Sequence, residues 1–239
     1  MKDISDKRVN ISLDNPSITF DKNKCDACSI CKNICKINVG VYGFSKDDYP
    51  CINCGSCTLA CPNKCLSEKD ETNKLEEYLH SNKVIVMQTA PAVRVSLGEE
   101  FGMKLGTNVE GKMITALRTI GADYVFDTTF GADLTVMEEA SELVNRIKTS
   151  KNLPMFTSCC PSWVKFCEMF YPEYLDNLST CKSPISMMGS VINNYFCKIN
   201  NLKREDIISI VIVPCTSKKM EILKYNDIDL AITTRELAK

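Results

Sequence analysis

ISIVIVPCTSKKME, residues 208–221, runs from a nearly unbroken apolar stretch into a proline, a cysteine and a basic, helix-compatible segment. Six residues of this kind suit a strand buried on both faces, as in a parallel sheet. Pro214 cannot continue the ladder, so the strand ends there and Cys215 falls in the following turn. The same order recurs from residue 84 onward. Strands are expected at VIVMQ (84–88), YVFDT (124–128), PMFT (154–157), ISIVIV (208–213) and LAIT (230–233). Amphipathic stretches such as LTVMEEASELVNRI lie between them. The alternation predicts an α/β domain, a mostly parallel sheet flanked by helices, with functional groups beyond the carboxyl ends of its strands.

The strand-to-helix turns are QTAPAVR, DTTFGAD, TSCCPSW, VPCTSKKME and ITTREL. Pro91 and Pro161 suit a first helical position, which needs no N–H. Cys160 then falls at an N-cap and Cys215 just ahead of a helix, where the positive helix end favours a thiolate. The alternative is two buried structural cysteines. Cys159 and Cys160 are neighbours, and on extended backbone they point to opposite sides, which disfavours both gripping one metal ion. No G-x-G-x-x-G follows a strand and no G-K-[ST] is present, so a nucleotide site is not expected.

The N-terminal part carries a repeat. DKNKCDACSICKNIC and DDYPCINCGSCTLAC each contain C-x2-C-x2-C-x3-C, formed by Cys25, Cys28, Cys31 and Cys35, then Cys51, Cys54, Cys57 and Cys61. This resembles the bacterial two-cluster ferredoxin. In that pattern three thiolates come from one run and the fourth from the other. The resemblance implies one [4Fe–4S] cluster on Cys25, Cys28, Cys31 and Cys61, and a second on Cys51, Cys54, Cys57 and Cys35. Zinc knuckles are the alternative, although zinc sites rarely use two evenly spaced runs of four. Pro62 follows Cys61 as in the family, but Lys36 follows Cys35. Cys65 is extra and reads as a small buried side chain.

Composition narrows the class. The chain has 239 residues, 44% hydrophobic and 25% charged, with net charge −1. That is ordinary for a globular protein and points to neither nucleic acid nor an anionic membrane. No apolar run reaches transmembrane length. MKDISDKRVNISLD carries acids and lacks an apolar core, so it is neither a signal nor a typical transit peptide, and a cytoplasmic location is expected. The 15 cysteines therefore read as metal ligands more than as disulfides. One histidine, His80, excludes multi-His metal sites and lies at the end of the helix-like ETNKLEEYL.

TSCCPSW and VPCTSKKME resemble the first and second signature loops of [FeFe]-hydrogenases. APAVRVSLGEEFG, VFDTTFGADLTVMEEASEL and DIDLAITTRELAK resemble intervening segments of the same family, and the likeness extends over nearly all of residues 16–239. It implies the reaction 2H⁺ + 2e⁻ ⇌ H₂ at an H-cluster, a [4Fe–4S] cubane joined through a cysteine sulfur to a two-iron unit. By position, Cys160 and Cys215 resemble two cubane ligands. Lys218 resembles the lysine that binds an iron cyanide, and Ala90 and Pro91 the lining of the other cyanide, with Ala92 where some members have serine. Cys159 resembles the proton-delivering thiol, and Glu139, Ser179 and Glu142 the rest of the proton path. Apart from the resemblance, Glu139 and Glu142 would read as a solvated helix face and Ser179 as a loop serine. Thr135 and Glu138 form a possible capping box, and Ser183-Pro184 a helix start. Val213 stands where the family commonly has a methionine against the two-iron unit. Cys167, Cys181 and Cys197 match no cluster role, with Cys197 expected in the core. Trp163 is expected to be a packing anchor.

The fold expectation is therefore an α+β ferredoxin-like domain with two [4Fe–4S] clusters, followed by the α/β hydrogenase catalytic domain. Residues 1–15 read as a leader, 16–70 as the ferredoxin-type domain, 71–83 as a linker helix and 84–239 as the N-terminal part of the catalytic domain. The family's third cysteine loop is absent from these residues. The last segment, ITTRELAK, opens a helix with a capping box (Thr233, Glu236) and has little room to continue it. A partial sequence or a split subunit is expected, inactive alone, with the H-cluster formed only if the missing cysteines are supplied. Implied partners are ferredoxin or flavodoxin, hydrogenase maturation proteins and a C-terminal complementing chain, with no nucleic acid and no membrane. The competing reading is a hydrogenase-like iron–sulfur scaffold or assembly protein without H₂ activity.

Overall fold

A computed structural model describes residues 7–44 and 50–239. The elements in chain order are β1 (Ile18–Phe20), α1 (Ile30–Ile37), α2 (Val41–Phe44), α3 (Ser56–Ala60), β2 (Leu66–Glu68), α4 (Thr72–Leu79), β3 (Val84–Thr89), α5 (Val93–Glu100), α6 (Glu110–Ile120), β4 (Tyr124–Asp127) and α7 (Thr129–Thr149). They continue with α8 (Pro161–Phe170), α9 (Pro184–Val191), a π-helical turn (Ile192–Phe196), α10 (Cys197–Ile199), β5 (Ile207–Val213), α11 (Lys218–Glu221), β6 (Leu230–Thr233) and α12 (Thr234–Ala238). The chain divides into two compact units. One comprises residues 1–69, 160–178 and 215–220, and the other 70–159, 179–214 and 221–239. The sequential division expected from the sequence is thus crossed twice, because the Cys160 and Cys215 segments group with the N-terminal residues.

In the first unit β1 and β2 pair antiparallel, Thr19 opposite Ser67. Val9, Ile11, Ile18 and Leu66 are buried together with Cys31, Cys57, Cys61 and Cys65. The reading of residues 1–15 as a leader is corrected here: Val9 and Ile11 belong to this core, since a small module needs every apolar side chain it has. Residues 1–6 of that stretch, and 45–49 of the expected ferredoxin-type segment, lie outside the described residues. Trp163, on α8, stacks on Phe166 at 6.4 Å between ring centroids, in keeping with a packing role.

The second unit holds a parallel sheet of order β4-β3-β5-β6. All seven residues of β5 are buried, which explains its continuous apolar run. Alternate side chains serve opposite faces. Ile85, Met87, Ile208, Ile210 and Ile212 pack with Leu97 of α5 and Met113 and Leu117 of α6. Val86 packs with Met188, Ile192 and Phe196, while Val211 and Val213 pack with Ile185 and Ile228. Gln88 interrupts the apolar run of β3 and is fully buried. Its amide donates to Ile185 O at 3.1 Å and accepts from Thr128 Oγ1 at 3.0 Å, so no polar atom is stranded. Gly131 of α7 lets α9 approach so closely that a Cβ there would collide with the Pro184 carbonyl.

Three local expectations are corrected. The strand expected at 154–157 reduces to a single bridge at Phe156, whose carbonyl accepts from Ser179 N at 2.7 Å; Pro154 has no N–H to extend a ladder. Pro91 does not open α5, which starts two residues later at Val93. Thr135 lies inside α7, not at its start, and its hydroxyl donates back to Gly131 O at 2.9 Å. The box at Thr233 and Glu236 is present: the Thr233 hydroxyl accepts from Glu236 N at 3.2 Å, and Glu236 Oε2 accepts from Thr233 N at 2.7 Å. Ser183-Pro184 opens α9, and His80 is the C-cap of α4.

Candidate functional site

Four of the eight regularly spaced cysteines of the first unit, Cys35, Cys51, Cys54 and Cys57, line one pocket. Cys31 has Cys28 and Cys61 as its electrostatic neighbours. Cys35 thus lines the same pocket as Cys51, Cys54 and Cys57 of the other run. Cys57 has Cys51, Cys54, Cys35 and Cys31 as charged neighbours. Helix α1 carries Cys31 near its start and Cys35 a turn later on the same face, about 6 Å further along the axis, which lets the two reach different neighbours. Burial, reinforced by Cys54 and Cys51, pushes the Cys35 thiol up to about 12. Burial likewise raises Cys51 and Cys57. Such desolvated thiols become thiolates only when a cation replaces the proton. Among the described residues no three His, Cys, Asp or Glu side chains converge as around one metal ion. A cubane asks for something wider, one thiolate on each of four irons.

The pocket that Cys35, Cys51, Cys54 and Cys57 line together with Ile11 and Ile18 is largely apolar. Cys51 Sγ receives Asn53 N–H at 3.4 Å and lies 3.7 Å from Asn15 Nδ2. Cys65 is buried and its sulfur is 3.1 Å from that of Cys61. Burial pushes the Cys65 thiol up to about 12, whereas hydrogen bonds from Leu66 N–H and Cys65 outweigh burial at Cys61 and lower it.

Cys160 is the N-cap of α8, with Pro161 at the first helical position, and is exposed. Cys215 is half-buried, its sulfur 3.0 Å from Ser217 Oγ. Both belong to the first unit. Thr216 Oγ1 donates to Asn53 O at 3.1 Å, which joins the turn carrying Cys215 to the backbone between Cys51 and Cys54. Gly55, at φ +76°, makes this approach possible, since a Cβ there would stand 2.5 Å from Thr216 Oγ1. Sequence reasoning missed Asn15, Asn53 and Thr216; only the spacing of Asn53 and Gly55 between cysteines hinted at special backbone, and both adopt positive φ. Lys218 is half-buried. The fully buried lysine is its neighbour Lys219, which donates to Lys69 O.

In the second unit, Ala90 continues the sheet through Ala90 N–H to Ile212 O at 2.9 Å, and Pro91 is exposed. Cys159 is exposed. Glu142 is not on a solvated helix face. Its carboxylate accepts from Ser179 Oγ at 2.8 Å, from Thr180 N at 3.1 Å, and from Arg146 at 2.6 Å. Burial would raise Glu142, but the hydrogen bonds from Ser179, Arg146 and Thr180 prevail and lower it. Glu139, one turn earlier, has a buried Oε1 with no hydrogen-bond partner among the described residues. Cys181 closes the cluster, its N–H donating to Ser179 Oγ at 3.2 Å. Glu138 is exposed. Val213 is fully buried in the sheet core, and Cys167 and Cys197 are buried too.

By family, the chain falls in the class of iron–sulfur oxidoreductases. The chain belongs to the family described as iron only hydrogenase large subunit, C-terminal domain, whose model matches residues 83–239. It is 40% identical to the NADP-reducing hydrogenase subunit HndD of Solidesulfovibrio fructosivorans, over 93% of this chain and 43% of that protein. It is 41% identical to iron hydrogenase 1 of Clostridium pasteurianum, over 98% of this chain and 45% of that protein. The chain thus spans less than half the length of these two relatives. An apo [FeFe]-hydrogenase structure from Chlamydomonas reinhardtii superposes with a TM-score of 0.68 at 35% identity, covering 71% of this chain and 47% of that one. Similarity extends at 31% identity to the nuclear prelamin A recognition factor of Homo sapiens, over 73% of this chain and 41% of that protein. No helix among the described residues is long and apolar enough to cross a membrane.

Proposed function

We propose that this chain is the electron-entry module and first half of the catalytic domain of an [FeFe]-hydrogenase that interconverts protons and H₂, working in the cytoplasm. The observation that carries the reading is the Thr216–Asn53 hydrogen bond, which brings the Cys215 turn against the Cys51–Cys57 run within one compact unit. Electrons would enter a ferredoxin-type module with Cys25, Cys28, Cys31 and Cys61 on one [4Fe–4S] cluster and Cys35, Cys51, Cys54 and Cys57 on the other. The neighbourhoods of Cys31, Cys35 and Cys57 support this interleaved assignment. Cys160 and Cys215 would hold two corners of the cubane, and the two-iron unit would supply the site where protons and electrons combine.

The remaining roles concern protons and anions. Ser179 and Glu142 are hydrogen-bonded and can pass a proton between hydroxyl and carboxylate. Cys159 and Glu139 would continue that path, and Lys218, Ala90 and Pro91 would each keep the cyanide-binding role that the family resemblance implies. Further polypeptide would complete the cubane. Helix α7 is suited to receiving it, because it leaves Val136, Met137, Val144 and Ile147 exposed. Ferredoxin or flavodoxin would supply electrons, and maturation proteins would install the two-iron unit.

Anaerobic reconstitution of the chain with iron and sulfide, followed by iron quantification and an H₂ assay, tests the reading. Two clusters and no H₂ evolution are expected of these residues alone. The complete protein, after maturation, should show infrared bands of CO and cyanide. The second reading, an iron–sulfur scaffold, is favoured by the similarity to the recognition factor and, at 28% identity, to a cytosolic Fe–S cluster assembly factor of Xenopus tropicalis. The Ser179–Glu142 pair speaks for the enzyme, since a scaffold has no need to move protons. Absence of the infrared bands from the matured protein would decide for the scaffold.

A further inference from the structure

Asn15 lies upstream of every cysteine, in a stretch with no motif, yet only 9% of its surface is exposed. All four hydrogen-bonding positions of its amide are engaged. Oδ1 accepts from Ser17 N and Ile18 N, both at 2.9 Å, which fixes the orientation of the group. Nδ2 then donates to Asn53 Oδ1 at 2.8 Å and points its other hydrogen at Cys51 Sγ, 3.7 Å away. Asn53 is 1% exposed and adds its backbone N–H to the same sulfur at 3.4 Å. As a thiol, Cys51 can donate to Asn53 Oδ1, also at 3.4 Å. As a metal ligand it has lost that proton and can only accept. Asn15 then supplies the donor that keeps the sulfur and the Asn53 oxygen from facing each other as two unpaired acceptors.

We propose that Asn15 is a potential-setting residue for the cluster held by Cys35, Cys51, Cys54 and Cys57, raising its reduction potential through the Nδ2–H donated to Cys51 sulfur. This rests on the two-cluster reading above. Reduction adds one electron to the cluster and increases the negative charge on its thiolates, with no bond broken and no proton taken up. A donor aimed at a ligand sulfur stabilises that reduced form. The electron is thereby favoured on the cluster whose backbone, through Asn53 O and Thr216, touches the Cys215 turn. Asn15 touches neither substrate nor iron; it acts through Cys51.

The test is an EPR-monitored redox titration of the anaerobically reconstituted full chain. Asn15→Ser keeps a hydroxyl able to cap the turn at Ser17 but cannot reach Cys51. Asn15→Asp keeps the acceptor oxygen and replaces the donor with a charged acceptor. Asn15→Ser should shift the reduction equilibrium of one cluster about tenfold toward the oxidised form, about 59 mV for one electron, and Asn15→Asp should shift it further. The other cluster should keep its potential, and iron content should not change. Unchanged potentials, or equal shifts at both clusters, would overturn the proposal. Loss of the cluster in both variants would also overturn it, by giving Asn15 a purely structural part. A wild-type chain that binds no clusters would instead overturn the two-cluster reading beneath it.

Discussion

The Ser179 hydroxyl donates to Glu142 Oε2 at 2.8 Å, and the other oxygen of that carboxylate holds Arg146 at 2.6 Å. One carboxylate therefore ties the loop at Ser179 to helix α7. Arg146 is buried and also donates to Asn152 O at 2.9 Å, so replacing Glu142 removes its carboxylate partner and leaves that bond in place. Glu142→Gln should cost roughly 2 kcal/mol in denaturant unfolding, and Ser179→Ala about 1 kcal/mol. In the matured complete protein both should slow turnover while leaving the infrared bands in place.

The same pair carries a pH dependence. The folded-state pKa of Glu142 is held below its ordinary 4.5 by hydrogen bonds that outweigh burial. A lowered carboxylate pKa contributes stability that is fully present above the unfolded value and lost as pH falls through the folded one. Wild-type stability should therefore decline as pH drops from about 4.5, more steeply than that of Glu142→Gln. Equal slopes for the two proteins in acid denaturation curves would contradict this.

Gly55 and Thr216 should respond together. Gly55→Ala places a methyl 2.5 Å from Thr216 Oγ1 at a positive φ. A loss of roughly 1–3 kcal/mol is expected. Thr216→Val keeps the shape and removes the hydroxyl, at a cost of about 1 kcal/mol. The double variant should fall short of the sum, because both act on one contact. Chemical denaturation of the four proteins completes the cycle.

Cys35 and Cys65 test the reading of the spacing, which makes Cys35 a ligand and leaves Cys65 extra. Both are pushed up to about 12, mainly by burial. Cys35→Ala should lose the cluster shared with Cys51, Cys54 and Cys57, while Cys65→Ala should retain both. Iron per chain after reconstitution separates the two outcomes.

Cys159→Ser should leave iron content unchanged in the complete enzyme and cut H₂ turnover by two orders of magnitude or more, as expected for loss of a general acid–base group. Loss of the cubane in this variant would instead make Cys159 a ligand.

Much of the second unit was legible because β3, β5 and β6 are buried on both faces. A run such as IISIVIV can hardly be anything else between a proline turn and a polar loop. The segment PMFT misled because four residues with a proline fit a strand in composition yet lack the donors to join one. Glu142 misled differently. A glutamate three residues from another on a helix looks solvated, and only a loop 37 residues away in sequence makes it a buried hub.

The sequence by itself determined the thiol inventory, the strand order of events along the chain, the helix starts at Pro161 and Pro184, and the family, because these depend on local spacing and residue chemistry. Tertiary structure decided the rest. It drew Val9 and Ile11 into the first core, buried Asn15 against Asn53, tied Glu142 to Ser179, and joined Asn53 to Thr216. Such contacts arise where distant segments must satisfy buried polar groups and fill shared volume, and no local pattern records which partner meets that need.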